Sequence, residues 1–182
     1  MVLDVETTGL SAAVNEVVEL GMVIFDFDRR SGNILRVVEE YAEFRQPSHP
    51  IPREATMVHK ITNAMVRGKV LDDQRVVAAL TQAEFIVAHN AAFDYRFMVK
   101  LYPQAAAKTW LCSMRHIPWY TYGFPSRGLQ NLLAAHRIPA QDAHRAKGDC
   151  LSTLALLGCL DPNGQVYFRS LLQRLVPDDV SP

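Results

Sequence analysis

The chain opens on a short apolar run, Met1-Val-Leu-Asp4-Val-Glu6, that stops at Thr7-Thr8-Gly9. Side chains alternate faces along a strand, so Asp4 and Glu6 point one way and Val5 the other. A longer run rich in β-formers covers 16–27. Asp28 to Asn33 reads as a turn, and 34–44 as a partner strand with a charged face, so the sheet begins with antiparallel connections. Three prolines within 46–52 predict an irregular connection. Helical spacing follows over 53–59 and 63–70. A third helix runs from an Asp72-Asp73 cap to about Gln82, with Val76, Val77 and Leu80 on one face. Phe85 to Ala88 is a short apolar strand ending at His89-Asn90, and 91–101 is helical. A second buried strand is predicted over 110–114. Helices over 129–136, 148–160 and 166–175 precede a loose tail at 177–182. Strands first, then strand–helix alternation, make an α/β mixed sheet covered by helices. Ligands in such sheets gather at the carboxyl ends of central strands, where the opening strand delivers Asp4 and Glu6.

Size and charge narrow the picture. The 182 residues, 49% of them hydrophobic, fit one compact domain with a real core. No run approaches a membrane span, and the early Asp4 and Glu6 are unlike a signal peptide, so a cytoplasmic protein without membrane partners is expected. Three cysteines, odd in number and without close pairing, read as packed, reduced thiols. The balance of 19 basic against 19 acidic residues argues against a long basic track. A nucleic-acid partner would be gripped by a few local contacts at a chain end.

Candidate chemistry lies in three acidic stretches. Asp4 and Glu6 side by side repel and are costly to desolvate unless neutralised, and a divalent cation with a preference for hard oxygen ligands would do so. Solvated turn chemistry is the plainer account of the same residues. Asp94 shares a helix face with Phe97, Met98 and Leu101, which implies a charge at least half-buried and in need of a partner. Its plainer account is stabilisation of the helix N-terminus. The third stretch, His144-Arg145-Ala146-Lys147-Gly148-Asp149, runs into a helix. Asp149 there could cap, and His144 could be an ordinary surface histidine. A histidine on a loop beside an activated water is nonetheless the general base a hydrolase needs.

Taken together, Asp4-Val-Glu6-Thr-Thr-Gly9, His89-Asn90-Ala-Ala-Phe93-Asp94 and His144-Arg-Ala-Lys-Gly-Asp149 resemble the three motifs of the DEDDh, or DnaQ-like, 3′–5′ exonucleases. The order matches, and the similarity extends from Met1 to about Leu160. Glu16 to Gly21 looks like the family's second strand, and Pro52 to Thr62 like its helix ending in a His-x-Ile-Thr turn. Trp110 to Met114 looks like the exonuclease X branch. The resemblance implies an RNase H-like fold and two bound magnesium or manganese ions. Asp4, Glu6 and Asp149 would be direct ligands with Asp4 bridging, Asp94 would complete the site through water, and His144 would be the general base. By the same resemblance Thr7, Thr8 and Leu10 would hold the terminal nucleotide, with His89, Asn90 and Phe93 close by. For Leu10 and Phe93 core packing is an equal alternative. Arg145 and Lys147 could touch phosphate, or simply sit on a solvated loop.

The expectation is a single exonuclease domain, with motifs spanning 4–149 and a C-terminal helix and tail over 162–182. It would hydrolyse single-stranded or frayed DNA 3′ ends to nucleoside 5′-monophosphates. Only three residues precede Asp4, and the chain stops soon after its last helix, so a stand-alone enzyme and a piece of something longer both remain open. An exoribonuclease acting on RNA 3′ ends is the alternative within the class, and a proofreading subunit in a polymerase or repair complex is another. A non-catalytic nucleic-acid-binding module would have lost an acidic position or the histidine, and all five are present. No heptad or large exposed stripe decides the oligomeric state.

Overall fold

The computed structural model describes residues 1–140 and 142–175, so the predicted tail over 177–182 lies outside the described residues. Three strands open the chain: β1 (Val2–Thr7), β2 (Val17–Phe27) and β3 (Ile34–Phe44). Two short helices, α1 (Arg53–His59) and α2 (Asn63–Val66), precede α3 (Asp73–Gln82). Then come β4 (Phe85–Ala88), α4 (Ala91–Leu101), β5 (Thr109–Cys112) and the single turn α5 (Ser113–His116). The helices α6 (Leu129–Ala135), α7 (Ala146–Leu157) and α8 (Tyr167–Leu172) complete the fold.

The sheet runs β3-β2-β1-β4-β5. β1 pairs antiparallel with β2, and β2 with β3, as the hairpin signals predict, while β4 lies parallel to both β1 and β5. β1 is therefore central, and its alternation divides the core. Leu3 and Val5 join Leu20, Met22, Ile86 and Phe97 on the side of α3 and α4. Val2 joins Val23, Phe25, Leu154 and Phe168 on the side of α7 and α8. Asp4 and Glu6 share the phase of Val2 and so face α7.

Several boundaries differ from the sequence expectation. The helix over 63–70 stops at Val66, because Gly68 takes a left-handed backbone (φ 69°) that ends it. The strand over 110–114 gives way at Ser113 to the turn α5. α7 begins two residues earlier than 148 and ends at Leu157, and α8 ends at Leu172 in a 3-10 turn over Gln173–Leu175. Asp72 caps α3 as predicted, accepting the Arg75 N–H at 3.0 Å. Cys112 and Cys150 are buried thiols and Cys159 is partly buried. Among the described residues no helix is long and apolar enough to cross a membrane.

Candidate active site

The register of β1 on β2 sets Asp4 opposite Gly21 and Glu6 opposite Glu19. The glycine matters because α7 comes down on it: a Cβ there would lie 2.4 Å from the Ala146 carbonyl carbon and 2.5 Å from the Lys147 nitrogen. That close approach carries Asp149, in the first turn of α7, up to the carboxyl end of β1. One oxygen from each of Asp4, Glu6 and Asp149 then falls within 4.8 Å of the others. Asp94 arrives from α4 on the opposite layer. It is buried, and its Oδ1 accepts the Val5 N–H at 3.2 Å. It thus stands beside the group of three and outside it.

Burial raises all four carboxyls, and the charges of their neighbours add to it at Asp4 and Glu6. Burial, followed by the charges of Asp94, Glu6 and Asp149, drives Asp4 well above the carboxylate range. Burial and the neighbouring Asp149 and Glu19 push Glu6 up to about 8, with Arg145 pulling the other way. Burial raises Asp94 to about 7, against the pull of its backbone hydrogen bonds. Burial also raises Asp149 to about 6, against the opposing influence of His144. Buried acids this close to one another favour a positive charge among them. Clustered hard oxygen donors fit a divalent cation, so these residues suit the metals that the motifs imply.

Both acids sit in the first turn of their helices, as the helix-terminus accounts require, and each also bonds beyond its helix. Arg145 holds the N-cap position of α7, and Asp149 accepts instead from the His144 backbone N–H (Oδ2, 3.2 Å) and from Gln130 Nε2 (Oδ1, 3.3 Å). The Asp94 bond likewise leaves its helix for β1. His144 is exposed, in a loop where both it and Asp142 take left-handed backbone (φ 60° and 46°).

The residues expected around a nucleotide divide in their behaviour. Thr7 Oγ1 donates to the Gly9 carbonyl at 2.7 Å, and Thr8 Oγ1 accepts the Glu16 N–H at 3.0 Å, so both hydroxyls shape the turn after β1. Leu10 is 86% exposed, which removes core packing as its account. Phe93 is half-buried, its ring 5.0 Å from that of Phe97. Asn90 is half-buried at the head of α4 in left-handed backbone (φ 77°). His89 spends both ring nitrogens on the fold, Nδ1 with Ser113 Oγ at 2.8 Å and Nε2 with the Arg127 carbonyl at 2.9 Å. Burial lowers it to about 4, so it is neutral near pH 7. Arg145 is engaged within the fold: its Nη2 donates to Glu19 Oε1 at 2.7 Å, and its guanidinium lies over the Phe44 ring at 5.1 Å. Lys147 pairs with Glu40 at 3.1 Å.

Two residues absent from the sequence expectation enter the site. Gln130 touches Asp149, and nothing local singles it out. Glu19 left a trace, as the only acid within the apolar run 17–25, and such an acid is seldom buried without a partner.

Comparison with known proteins agrees with this geometry. The sequence model of the RNase_T exonuclease family matches residues 1–157. Exodeoxyribonuclease 10 of Escherichia coli K12 is 29% identical over 160 residues, covering 86% of this chain and 66% of its own length. The chain therefore spans about two thirds of that relative. Among solved structures, exonuclease X in complex with 5′ overhanging duplex DNA superposes with a TM-score of 0.64 at 26% identity, over 92% of this chain and 98% of that one. A structure of exonuclease I gives 0.71 at 18% identity, over 86% of this chain and 39% of that one, and supports the RNase H-like fold.

Proposed function

The chain belongs to the RNase_T exonuclease family, and from that premise we propose that it is a divalent-cation-dependent 3′–5′ exonuclease of single-stranded or frayed DNA ends. The observation that carries the reading is the set of three carboxylates within 4.8 Å of one another at the end of the central strand. The DNA preference rests on two relatives, one named an exodeoxyribonuclease and one solved with a DNA duplex. We assign the chain a single exonuclease domain with motifs spanning 4–149.

Asp4, Glu6 and Asp149 would hold two magnesium or manganese ions. Asp94 would complete the site while its Oδ1 keeps the Val5 N–H. When bound, such ions offset the negative charge that grows on the attacking and leaving oxygens of the phosphodiester. His144, exposed on its loop, takes the proton of the attacking water at its imidazole. The bond from phosphorus to the 3′ oxygen of the preceding nucleotide breaks, and the terminal residue leaves as a nucleoside 5′-monophosphate. The turn at Thr7 and Thr8, exposed Leu10, Asn90 and Phe93 would seat that terminal nucleotide. His89 acts on them only indirectly, by tying β4 to the loop at Arg127.

The test is a 3′-end degradation assay with manganese on matched 5′-labelled single-stranded DNA and RNA, using wild type and Asp149→Ala. Stepwise shortening to mononucleotides, faster on DNA and lost in the variant, is the expected result. An intact label with wild type, or full activity without Asp149, refutes the reading. Faster shortening of RNA reassigns the sugar.

A further inference from the structure

Glu19 lies in the middle of β2, 2% exposed, directly opposite Glu6 on β1. Like charges facing each other across two strands destabilise a sheet, and a buried carboxylate needs close partners. Arg145 supplies them from the far end of the chain. Its Nε lies 3.1 Å from Glu19 Oε2 and its Nη2 2.7 Å from Oε1, a two-pronged contact that suits the planar guanidinium. The Ala146 N–H donates to the same Oε2 at 3.0 Å. This is one of the first N–H groups of α7, which the helix cannot satisfy itself and for which Arg145, at the N-cap, offers no side-chain bond. A single carboxylate on β2 therefore grips two consecutive residues where the chain enters α7.

The residue just before that grip is His144. Left-handed backbone at two non-glycine residues, Asp142 and His144, is unfavourable and persists only where the surroundings hold it. Among the described residues, Glu19 holds this loop to the site through Arg145 and the Ala146 N–H, and Asp149 holds it through the His144 N–H. Gly21, two residues along β2, lets the helix start sit flush against the strand.

We infer that Glu19 and Arg145 form a positioning pair that latches the His144 loop over Asp4, Glu6 and Asp149. The inference rests on the exonuclease reading above, and it assigns Arg145 to the base and not to substrate phosphate. Neither residue touches the reacting atoms; each acts through His144.

The experiment compares Glu19→Gln, Arg145→Gln, the double variant and a control, Arg36→Gln, which removes an exposed ion pair with Asp26. Steady-state kinetics on single-stranded DNA with manganese should show kcat lowered about 10- to 100-fold with KM within about twofold, since small misplacement of a catalytic group has this cost. The double variant should lose no more than either single one, because both break one latch. Binding of Mn2+ to the protein, read by electron paramagnetic resonance, should persist, and the control should match wild type. A second readout needs no turnover: bound Mn2+ should broaden the His144 ring resonances of histidine-labelled protein, and should do so less in the variants. A raised KM at unchanged kcat in Arg145→Gln returns that residue to phosphate binding and overturns the inference. Unchanged kinetics and broadening, or lost Mn2+ binding, also overturn it. Should Glu19→Gln fail to fold, Arg145→Gln carries the test from the more exposed end of the pair. If wild type proves inactive, the exonuclease reading fails, and the Mn2+ broadening still decides the latch.

Discussion

Replacing Glu6 with glutamine should stabilise the protein in the absence of metal, while destroying its use of metal. The Glu6 carboxyl titrates near 8 in the fold against 4.5 for an unperturbed glutamate, chiefly because of burial and then Asp149. The folded state binds this proton more tightly than the unfolded chain does. The fold is therefore unpenalised below the unfolded value and loses stability as pH rises from 4.5 towards 8. At about 1.4 kcal/mol per pH unit the penalty reaches roughly 3 kcal/mol at pH 7, and partial exposure and proton sharing with the neighbouring acids bring it to about 2. Among the described residues no protein hydrogen bond to the Glu6 side chain is lost in the exchange. For a chain of this size, that difference raises the melting temperature by about 4–8 °C. The assay is thermal unfolding of wild type and variant in chelator. The gap should be small near pH 5 and widest near pH 8. Added Mn2+ should raise the wild-type midpoint and leave the variant nearly unmoved, because ligand that binds only the folded state stabilises it. A variant no more stable than wild type near pH 8, or a gap independent of pH, would refute the account of mutual repulsion at the site.

Three further outcomes follow from contacts already described. Gly21→Ala should cost about 1–3 kcal/mol by overpacking against the start of α7 and should abolish activity by moving Asp149; normal unfolding and turnover would show that the close approach does not position Asp149. Leu10→Ala should leave stability within about 0.5 kcal/mol, since its side chain is already in solvent. It should raise KM for single-stranded DNA about fivefold, equivalent to about 1 kcal/mol, and unchanged steady-state kinetics would free Leu10 of any substrate role. His89→Ala should lower urea stability at pH 7 by about 2 kcal/mol through two lost hydrogen bonds. The folded-state value of His89 is depressed from 6.5 to about 4, so its contribution is full above 6.5 and fades as pH falls through 4. A gap between His89→Ala and wild type that widens in acid would contradict that assignment.

Much of this site was legible before any tertiary contact was known, because the relevant signals are local. Alternation along β1 requires only the pleat of the backbone, and it puts Asp4 and Glu6 on one face. An acid among Phe97, Met98 and Leu101 on one helical face had to be buried, and Asp94 is. Asp72 capped its helix where short-range chemistry placed it. Legibility failed where a side chain's partner is remote. The start of α7 could not be read from its own residues, since the group that satisfies the Ala146 N–H is a carboxylate 127 positions earlier. His89 bonds to Ser113 and to the Arg127 carbonyl, 24 and 38 positions away. Arg145 pairs with Glu19, a partner 126 positions away that its own loop does not reveal.

Periodicity and charge are properties of a few neighbouring residues, so the order of residues along the chain suffices to assign the acids their faces and their need for a positive partner. Only tertiary packing brings Asp4, Glu6 and Asp149 together, turns Asp94 to β1 and pairs Arg145 with Glu19. Those outcomes depend on distance and exclusion of water, which are settled only when strands and helices from opposite ends of the chain pack together.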